Sequence, residues 1–134
     1  MRLYLSTVVW GKEYINKLNN YTLPSLLTDG NLKSKKIDKE SIFSICCYEY
    51  EKEDIIKHKN FKILEKYIKI QFFYFDVKLD NKYKFVSRTQ EVLFKNAYLN
   101  KSEYFMFIYP DSIYSNNTIE FIYKKIIEGY DNLL

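Results

Sequence analysis

The stretch that decides the fold is YFMFIYPDSIYSNNTIEF, residues 104–121. Its first six residues are apolar or aromatic, which predicts a strand buried on both faces, as in parallel sheets. Pro110 fixes its own φ and lacks an N–H, so strand pairing ends there and the Asp111 carboxylate is aimed out of the sheet. Small polar residues and an amphipathic segment follow. The stretch therefore predicts a strand, a loop with one acid, and a helix.

Three further segments of the chain repeat this order of strand and helix. The strands are predicted at residues 3–9, 42–50, 70–77 and 104–109, and the helices at 12–23, 53–70, 83–100 and 117–130. A continuation of the preceding helix is the alternative for residues 70–77. Four strands alternating with four helices predict a single α/β domain over residues 1–134. We expect an open, mainly parallel, Rossmann-like sheet with helices on both faces.

Local signals set the expected ends of these elements. Pro24 disfavours a helical conformation at the residue before it, and a turn at residues 79–81 ends the third strand. Asn117 with Glu120 three residues later predicts a capping box at the start of the last helix, which Gly129 terminates.

Composition limits the classes of partner and compartment. The net charge of +4 comes from 21 basic and 17 acidic residues spread along the chain, which argues against a nucleic-acid surface. Apolar residues 3–9 are too short for a signal peptide core or a membrane span, so we expect a cytoplasmic protein. Cys46 and Cys47 are adjacent and would point to opposite faces of a strand, which predicts buried, reduced thiols.

The candidate ligand site follows from the predicted sheet, because ligands bind outside the carboxyl ends of parallel strands. Trp10 and Gly11 follow the first strand, and Asp111 follows the fourth. Ser112 and Ser115 add hydroxyl groups beside the start of a helix, a combination that suits phosphate oxygens. The alternative for Asp111 is a turn residue whose carboxylate accepts backbone N–H bonds.

Two stretches resemble a known family of proteins. Residues 7–32, TVVWGKEYINKLNNYTLPSLLTDGNL, and residues 106–122, MFIYPDSIYSNNTIEFI, are similar to the N-terminal half of bacterial nucleotide-sugar glycosyltransferase-like proteins of the GT-A class. The shared features are a strand, a Trp-Gly loop, a helix with an LPSLL…GN turn, and an acid-containing motif after the fourth strand. The resemblance implies the donor-binding half of a larger glycosyltransferase fold, with a nucleotide-sugar donor as its partner and the acceptor site in further residues.

The resemblance also assigns roles to individual residues. It implies that Thr7, Val9 and Trp10 border the nucleotide base. Asp111 matches the second acid of an Asp-x-Asp element that holds a divalent metal, manganese or magnesium, against the diphosphate. Such a cation neutralises the charge that the diphosphate gains as the sugar departs. Tyr109 stands where the first acid would be, so the nucleotide phosphates would have to complete the metal's ligand shell.

Other interpretations stay open from the sequence. Arg88, on the helix before the fourth strand, is a candidate for bidentate binding of phosphate, with an exposed surface arginine as the alternative. The alternative for the chain as a whole is a non-catalytic interaction protein that forms a homodimer through an exposed sheet edge or an open face. A weaker third interpretation is a nucleic-acid binder that stacks bases on its tyrosines and phenylalanines.

Overall fold

Four parallel strands form one sheet in the order β3-β2-β1-β4. The computed structural model describes residues 1–75 and 82–130. The strands are β1 (Leu3–Val8), β2 (Ile42–Tyr48), β3 (Lys69–Phe75) and β4 (Tyr104–Phe107). The predicted turn at residues 79–81, and the last two positions predicted for the third strand, lie outside the described residues. The prediction of an α/β fold with a parallel sheet is confirmed.

Six α-helices are described around the sheet. They are α1 (Lys12–Lys17), α2 (Leu23–Leu26), α3 (Lys52–Ile56), α4 (Lys59–Leu64), α5 (Lys82–Leu99) and α6 (Thr118–Ile127). A π-helical turn, Leu18–Thr22, joins α1 to α2, and a 3₁₀ turn, Glu49–Glu51, joins β2 to α3. Within the described ranges, none of these helices combines the length and the apolar character that crossing a membrane requires.

The sheet separates two apolar clusters, because side chains along a strand alternate between its faces. In β1, Leu5 lies in the larger cluster, which α1 to α4 and α6 cover, whereas Tyr4 lies in the smaller cluster beneath α5. Helices therefore cover both faces, as predicted. Cys46 and Cys47 point into different clusters as free, buried thiols, and burial raises the pKa of each to about 12.

Two predicted helices differ from those observed. Leu23 is helical (φ −60°, ψ −45°) although Pro24 follows it. The π-helical turn before Pro24 is wider than an α-turn, which relieves the crowding that a proline ring causes there. The predicted helix at 53–70 is two short helices, because His58 is extended and its Nδ1 accepts from the Asn60 N–H at 3.2 Å, which starts a new helix.

The predicted capping box at the start of α6 is wrong. Asn117 has a left-handed backbone (φ 63°), and its side chain forms no capping hydrogen bond. The Glu120 carboxylate instead accepts from the Ser34 hydroxyl at 2.8 Å. The side chain that caps α6 is Asn31, whose Oδ1 accepts from the Ile119 N–H at 3.0 Å. A cap from a distant residue replaces the local one.

Candidate functional site

The order of the strands creates a crevice at one end of the sheet. The chain adds β2 and then β3 on one side of β1, and α5 then returns it to place β4 on the other side. In open parallel sheets, ligands bind where this reversal occurs, outside the carboxyl ends of the two diverging strands. A cleft of about 540 Å³ lies at that position, and we call it the β1–β4 cleft.

Four parts of the chain line the β1–β4 cleft: the end of β1, the first helix, one face of α5, and the turn after β4. The lining residues are Val8, Val9, Trp10, Tyr14, Lys82, Tyr83, Val86, Ser87, Gln90, Tyr109, Pro110 and Asp111. The cleft thus brings together Trp10 and Asp111, which the sequence placed in separate loops. Its volume is within the range of roughly 300–1,000 Å³ that is usual for small-molecule sites.

Asp111 presents a free carboxylate to this cleft. It is exposed, and within the described residues its side chain forms no hydrogen bond or ion pair. The turn around it closes without it, because the Ser112 N–H donates to the Tyr109 carbonyl at 3.2 Å and the Thr22 hydroxyl donates to the Pro110 carbonyl at 2.9 Å. The structure therefore shows no backbone bond of the kind that a purely structural Asp111 would accept.

A lysine lies within electrostatic reach of Asp111. The pKa of Lys17 is raised, chiefly by its hydrogen bond to Glu13, and the charges of Tyr14 and Asp111 raise it further by smaller amounts. Lys17 Nζ lies 2.9 Å from Glu13 Oε1, so its ion pair is with that carboxylate rather than with Asp111. The Asp111 carboxylate stays available to a ligand.

Trp10 is both a cleft residue and a packing residue. Its half-buried ring meets Phe75 and Phe85 edge to face, with centroids 6.2 and 6.3 Å apart. Both contacts belong to the cluster beneath α5. The sequence predicted the first role, whereas the second depends on the course of α5 across the sheet.

The loop that carries Trp10 is fixed from the end of β2. The Gly11 N–H donates to Glu51 Oε2 at 2.7 Å, and the Tyr48 N–H lies 3.3 Å from Glu51 Oε1. Glu51 is a buried carboxylate, only 5% exposed. Gly11 has φ 83°, a backbone conformation that costs any other residue strain. Glu51 thus holds the first loop in a shape that requires glycine.

Most of the other predicted site residues lie outside the cleft. Val9 is a lining residue, but Thr7 is 1% exposed within β1, and its hydroxyl has no partner among the described residues. Arg88 is exposed on α5 and does not line the cleft, and neither do Ser112 and Ser115. Of the predicted set, the structure therefore brings Val9, Trp10 and Asp111 to one cavity.

Backbone N–H groups at the start of α6 are already occupied. The Glu120 N–H donates to the Gly30 carbonyl at 3.1 Å and the Asn117 N–H to the Asp29 carbonyl at 2.9 Å. With Asn31 bound to the Ile119 N–H, these donors stabilise the contact between α6 and residues 29–31. The phosphate-binding role expected for this helix start therefore has no support in its geometry.

The wall that α5 provides was not predicted from the sequence. Tyr83, Val86, Ser87 and Gln90 follow each other at helical spacing and share one face of α5. Tyr83 is 77% exposed, and Lys82 Nζ lies 5.3 Å from its ring centroid. The helical period was visible in the sequence, but the direction of this face depends on the crossover of α5.

Comparisons with protein-family models, with curated proteins and with solved structures find no match for this chain. Among the described residues, no group of three or more His, Cys, Asp or Glu side chains is arranged to hold a metal ion. The candidate site is therefore defined by the β1–β4 cleft, its aromatic walls and the single carboxylate of Asp111.

Proposed function

We propose that the β1–β4 cleft binds a nucleotide-activated sugar, as the donor-binding part of a glycosyltransferase-like protein. The observation that carries the proposal is the meeting of Trp10 and Asp111 at the reversal point of a parallel sheet. The resemblance of residues 7–32 and 106–122 to the donor-binding half of such proteins supports the same assignment.

The aromatic side of the cleft suits the nucleotide base. Tyr83 and Trp10 offer ring surface, and Val9 and Val86 add apolar lining. A planar base gains apolar burial and stacking against such groups. Tyr83 has the more exposed ring, because the Trp10 ring already packs against Phe75 and Phe85.

The acidic side of the cleft suits a diphosphate only through a cation, because a bare carboxylate repels phosphate oxygens. Magnesium and manganese bind through one or two carboxylates with substrate phosphates as further ligands. Asp111 is the one carboxylate among the lining residues, so it would hold such an ion together with the diphosphate. When bound, the ion would neutralise the charge on the leaving diphosphate.

A thermal-shift titration tests the proposal with uridine, cytidine and guanosine diphosphates, each with and without manganese. A ligand at about a hundred times its Kd stabilises the folded state by about 2.7 kcal/mol, enough to raise the Tm by several degrees. We expect such a shift for one nucleotide in the presence of manganese. The shift should disappear in Asp111→Asn and persist in Asp29→Asn, a control at another exposed acid outside the cleft.

A second pair of variants tests the base side without disturbing the core. Tyr83→Ala removes an exposed ring from the cleft, and Tyr98→Ala removes an equally exposed ring (80%) from α5 outside it. We expect the first variant alone to weaken nucleotide binding by about tenfold, as the loss of one stacking contact predicts. Equal affinities in both variants, or no shift with any nucleotide at millimolar concentration, would contradict the proposed function.

A second candidate function is self-association, and a specific observation favours it. β4 is an outermost strand whose four residues are half-buried, with exposed Phe94 packed against Phe105 from α5 and partly exposed Ile122 beside β4 on α6. Pairing of β4 with β4 of a second copy about a two-fold axis would cover both flanks. Light scattering over a range of concentrations should then report a dimer that Phe94→Glu and Ile122→Glu convert to a monomer.

A further inference from the structure

The opposite edge of the sheet carries a groove of different chemistry. A cavity of about 710 Å³ lies beside β3, α3 and α4, and we call it the β3 groove. Its lining residues are Lys52, Ile56, Phe61, Lys62, Glu65, Lys66, Ile70 and Phe72. In the part of the chain that the structure describes, β3 pairs with β2 alone, so its outer edge has no neighbouring strand. An edge strand of this kind presents N–H and C=O groups to which another chain can add.

The floor of the β3 groove is apolar. Ile70 and Phe72 line it, and Tyr74 continues the same face of β3 beyond the lining residues, because alternate side chains of a strand share one face. They are partly exposed, with Tyr74 at 40%, because α3 and α4 do not extend over the whole strand. The side chains of an added strand would cover this remaining apolar surface.

The rim of the β3 groove is positively charged. Lys62 on α4 and Lys66 in the turn after it are exposed and form no ion pair with any described residue. Lys52 lies over the Phe72 ring at 5.1 Å. Against these three cations the lining contains one acid, Glu65. The groove is therefore complementary to a negatively charged partner.

We infer that the β3 groove binds an extended acidic segment of another polypeptide, which adds to β3 as a fifth strand. The free backbone edge of β3 supplies hydrogen bonds to the added strand, and carboxylates on its α4 side reach Lys62 and Lys66. In strand addition, backbone bonds provide affinity and alternate side chains provide specificity. An acidic residue at every second position matches this arrangement.

The geometry favours this partner over single-stranded nucleic acid. Bases bind by stacking on open aromatic faces. Here Phe72 and Tyr74 already stack on each other, with centroids 6.3 Å apart and planes 11° apart, and Lys52 lies over both rings. Lys52 thus covers one side of these rings, whereas the outer edge of β3 has no strand partner among the described residues.

The charges also favour a different chain over a second copy of this one. A two-fold pairing of β3 with β3 would bring the lysines of two β3 grooves together, and like charges oppose such contacts. Lys69, on β3 itself, is already paired with Glu40 and does not relieve this repulsion. The same lysines that repel a second copy attract an acidic partner.

Fluorescence anisotropy with a labelled peptide of alternating Glu and Val, about eight residues long to match a strand, tests the inference. We expect saturable binding that weakens by about tenfold in the double variant Lys62→Glu with Lys66→Glu. The matched control, Lys35→Glu with Lys39→Glu, reverses two exposed lysines outside the groove and should leave the affinity unchanged. All four side chains are exposed, and circular dichroism checks that each variant keeps its fold.

A second probe separates strand addition from simple charge attraction. The same peptide with alternate amides N-methylated keeps its carboxylates but loses the N–H groups along one of its two edges, because successive N–H groups of a strand point to opposite edges. The form that has lost the N–H groups facing β3 should lose most of the affinity, whereas the form that keeps them should bind like the parent peptide. Equal binding of the two N-methylated forms, equal weakening by the control variant, or tighter binding of an oligouridylate than of the acidic peptide would overturn the inference, as would absence of saturable binding.

Discussion

The two loops that meet in the β1–β4 cleft are held in different ways. The first loop is held by the neighbouring strand: the Val9 N–H donates to the Cys46 carbonyl at 2.9 Å, and Gly11 binds the Glu51 carboxylate. Its own side chain, Trp10, also packs into the core. The position of the loop backbone and the packing of the Trp10 ring are therefore coupled.

The second loop is held through its backbone by the segment around α2. The Tyr114 N–H donates to the Ser25 hydroxyl, and the Asn31 side-chain amide donates to the Ser115 carbonyl, each at 3.0 Å. Asn31 is fully buried, so it holds the Ser115 carbonyl from inside the protein. The Asp111 side chain takes part in none of them.

This difference separates a structural role from a chemical one. In the first loop a change of side chain disturbs both the core and the cleft, because Trp10 belongs to both. In the second loop the backbone is fixed independently, so the Asp111 carboxylate can change without loss of the fold. We therefore expect stability and ligand binding to be coupled at Trp10 and independent at Asp111.

The largest expected loss of stability comes from Gly30→Ala, which disturbs the contact between Gly30 and Asn117 at the end of the second loop. Gly30 has φ 72°, and a Cβ there would come within 2.7 Å of the Asn117 Cα. Strain and overlap together should lower the free energy of unfolding by about 3 kcal/mol. Urea denaturation followed by circular dichroism measures the loss.

Gly11→Ala is the matched control in the first loop. Gly11 also has a positive φ, 83°, but a Cβ there would meet nothing within 4 Å. Backbone strain alone should lower the free energy of unfolding by about 1–2 kcal/mol. Equal losses in the two variants would show that the contact between Gly30 and Asn117 does not hold the second loop.

A smaller effect is expected for Glu51→Gln, which weakens the support of the first loop. The amide keeps one acceptor oxygen, so either Gly11 or Tyr48 loses its hydrogen-bond partner. Leaving one such N–H without an acceptor should cost about 1–2 kcal/mol of unfolding free energy. Glu49→Gln, at an exposed neighbour, should stay within about 0.5 kcal/mol of the parent in the same urea titration.

The apolar pattern of the sequence was sufficient to predict the strands and the edge of the sheet where Asp111 lies. Runs such as residues 104–109 have few alternatives to a buried strand. The long-range polar contacts were not predictable in this way. Asn31 caps a helix 88 residues further along the chain, and no local pattern encodes that partner. The local signal at Asn117 and Glu120 indicated a capping box that the tertiary contact replaced.

The α5 wall of the cleft was missed for a related reason. Helical spacing identified the helix, but it did not identify which face would point at the carboxyl ends of β1 and β4. That direction follows from the crossover of the chain from β3 to β4, a property of the whole sheet. Tyr83 therefore becomes a candidate only once the order of the strands is known.

The smallest expected effect on stability is that of Asp111→Asn, and it is the sharpest test of the comparison. The Asp111 side chain is exposed and makes no hydrogen bond within the described residues, so the free energy of unfolding should change by less than about 0.5 kcal/mol. The same change removes the carboxylate that would hold a divalent ion in the cleft, so metal-dependent nucleotide binding should be lost. Urea denaturation measures the free energy of unfolding, and the manganese-dependent thermal shift measures nucleotide binding. Both are measured on one preparation of the variant. A loss of stability comparable to that of Gly30→Ala would show instead that Asp111 helps to hold its own loop.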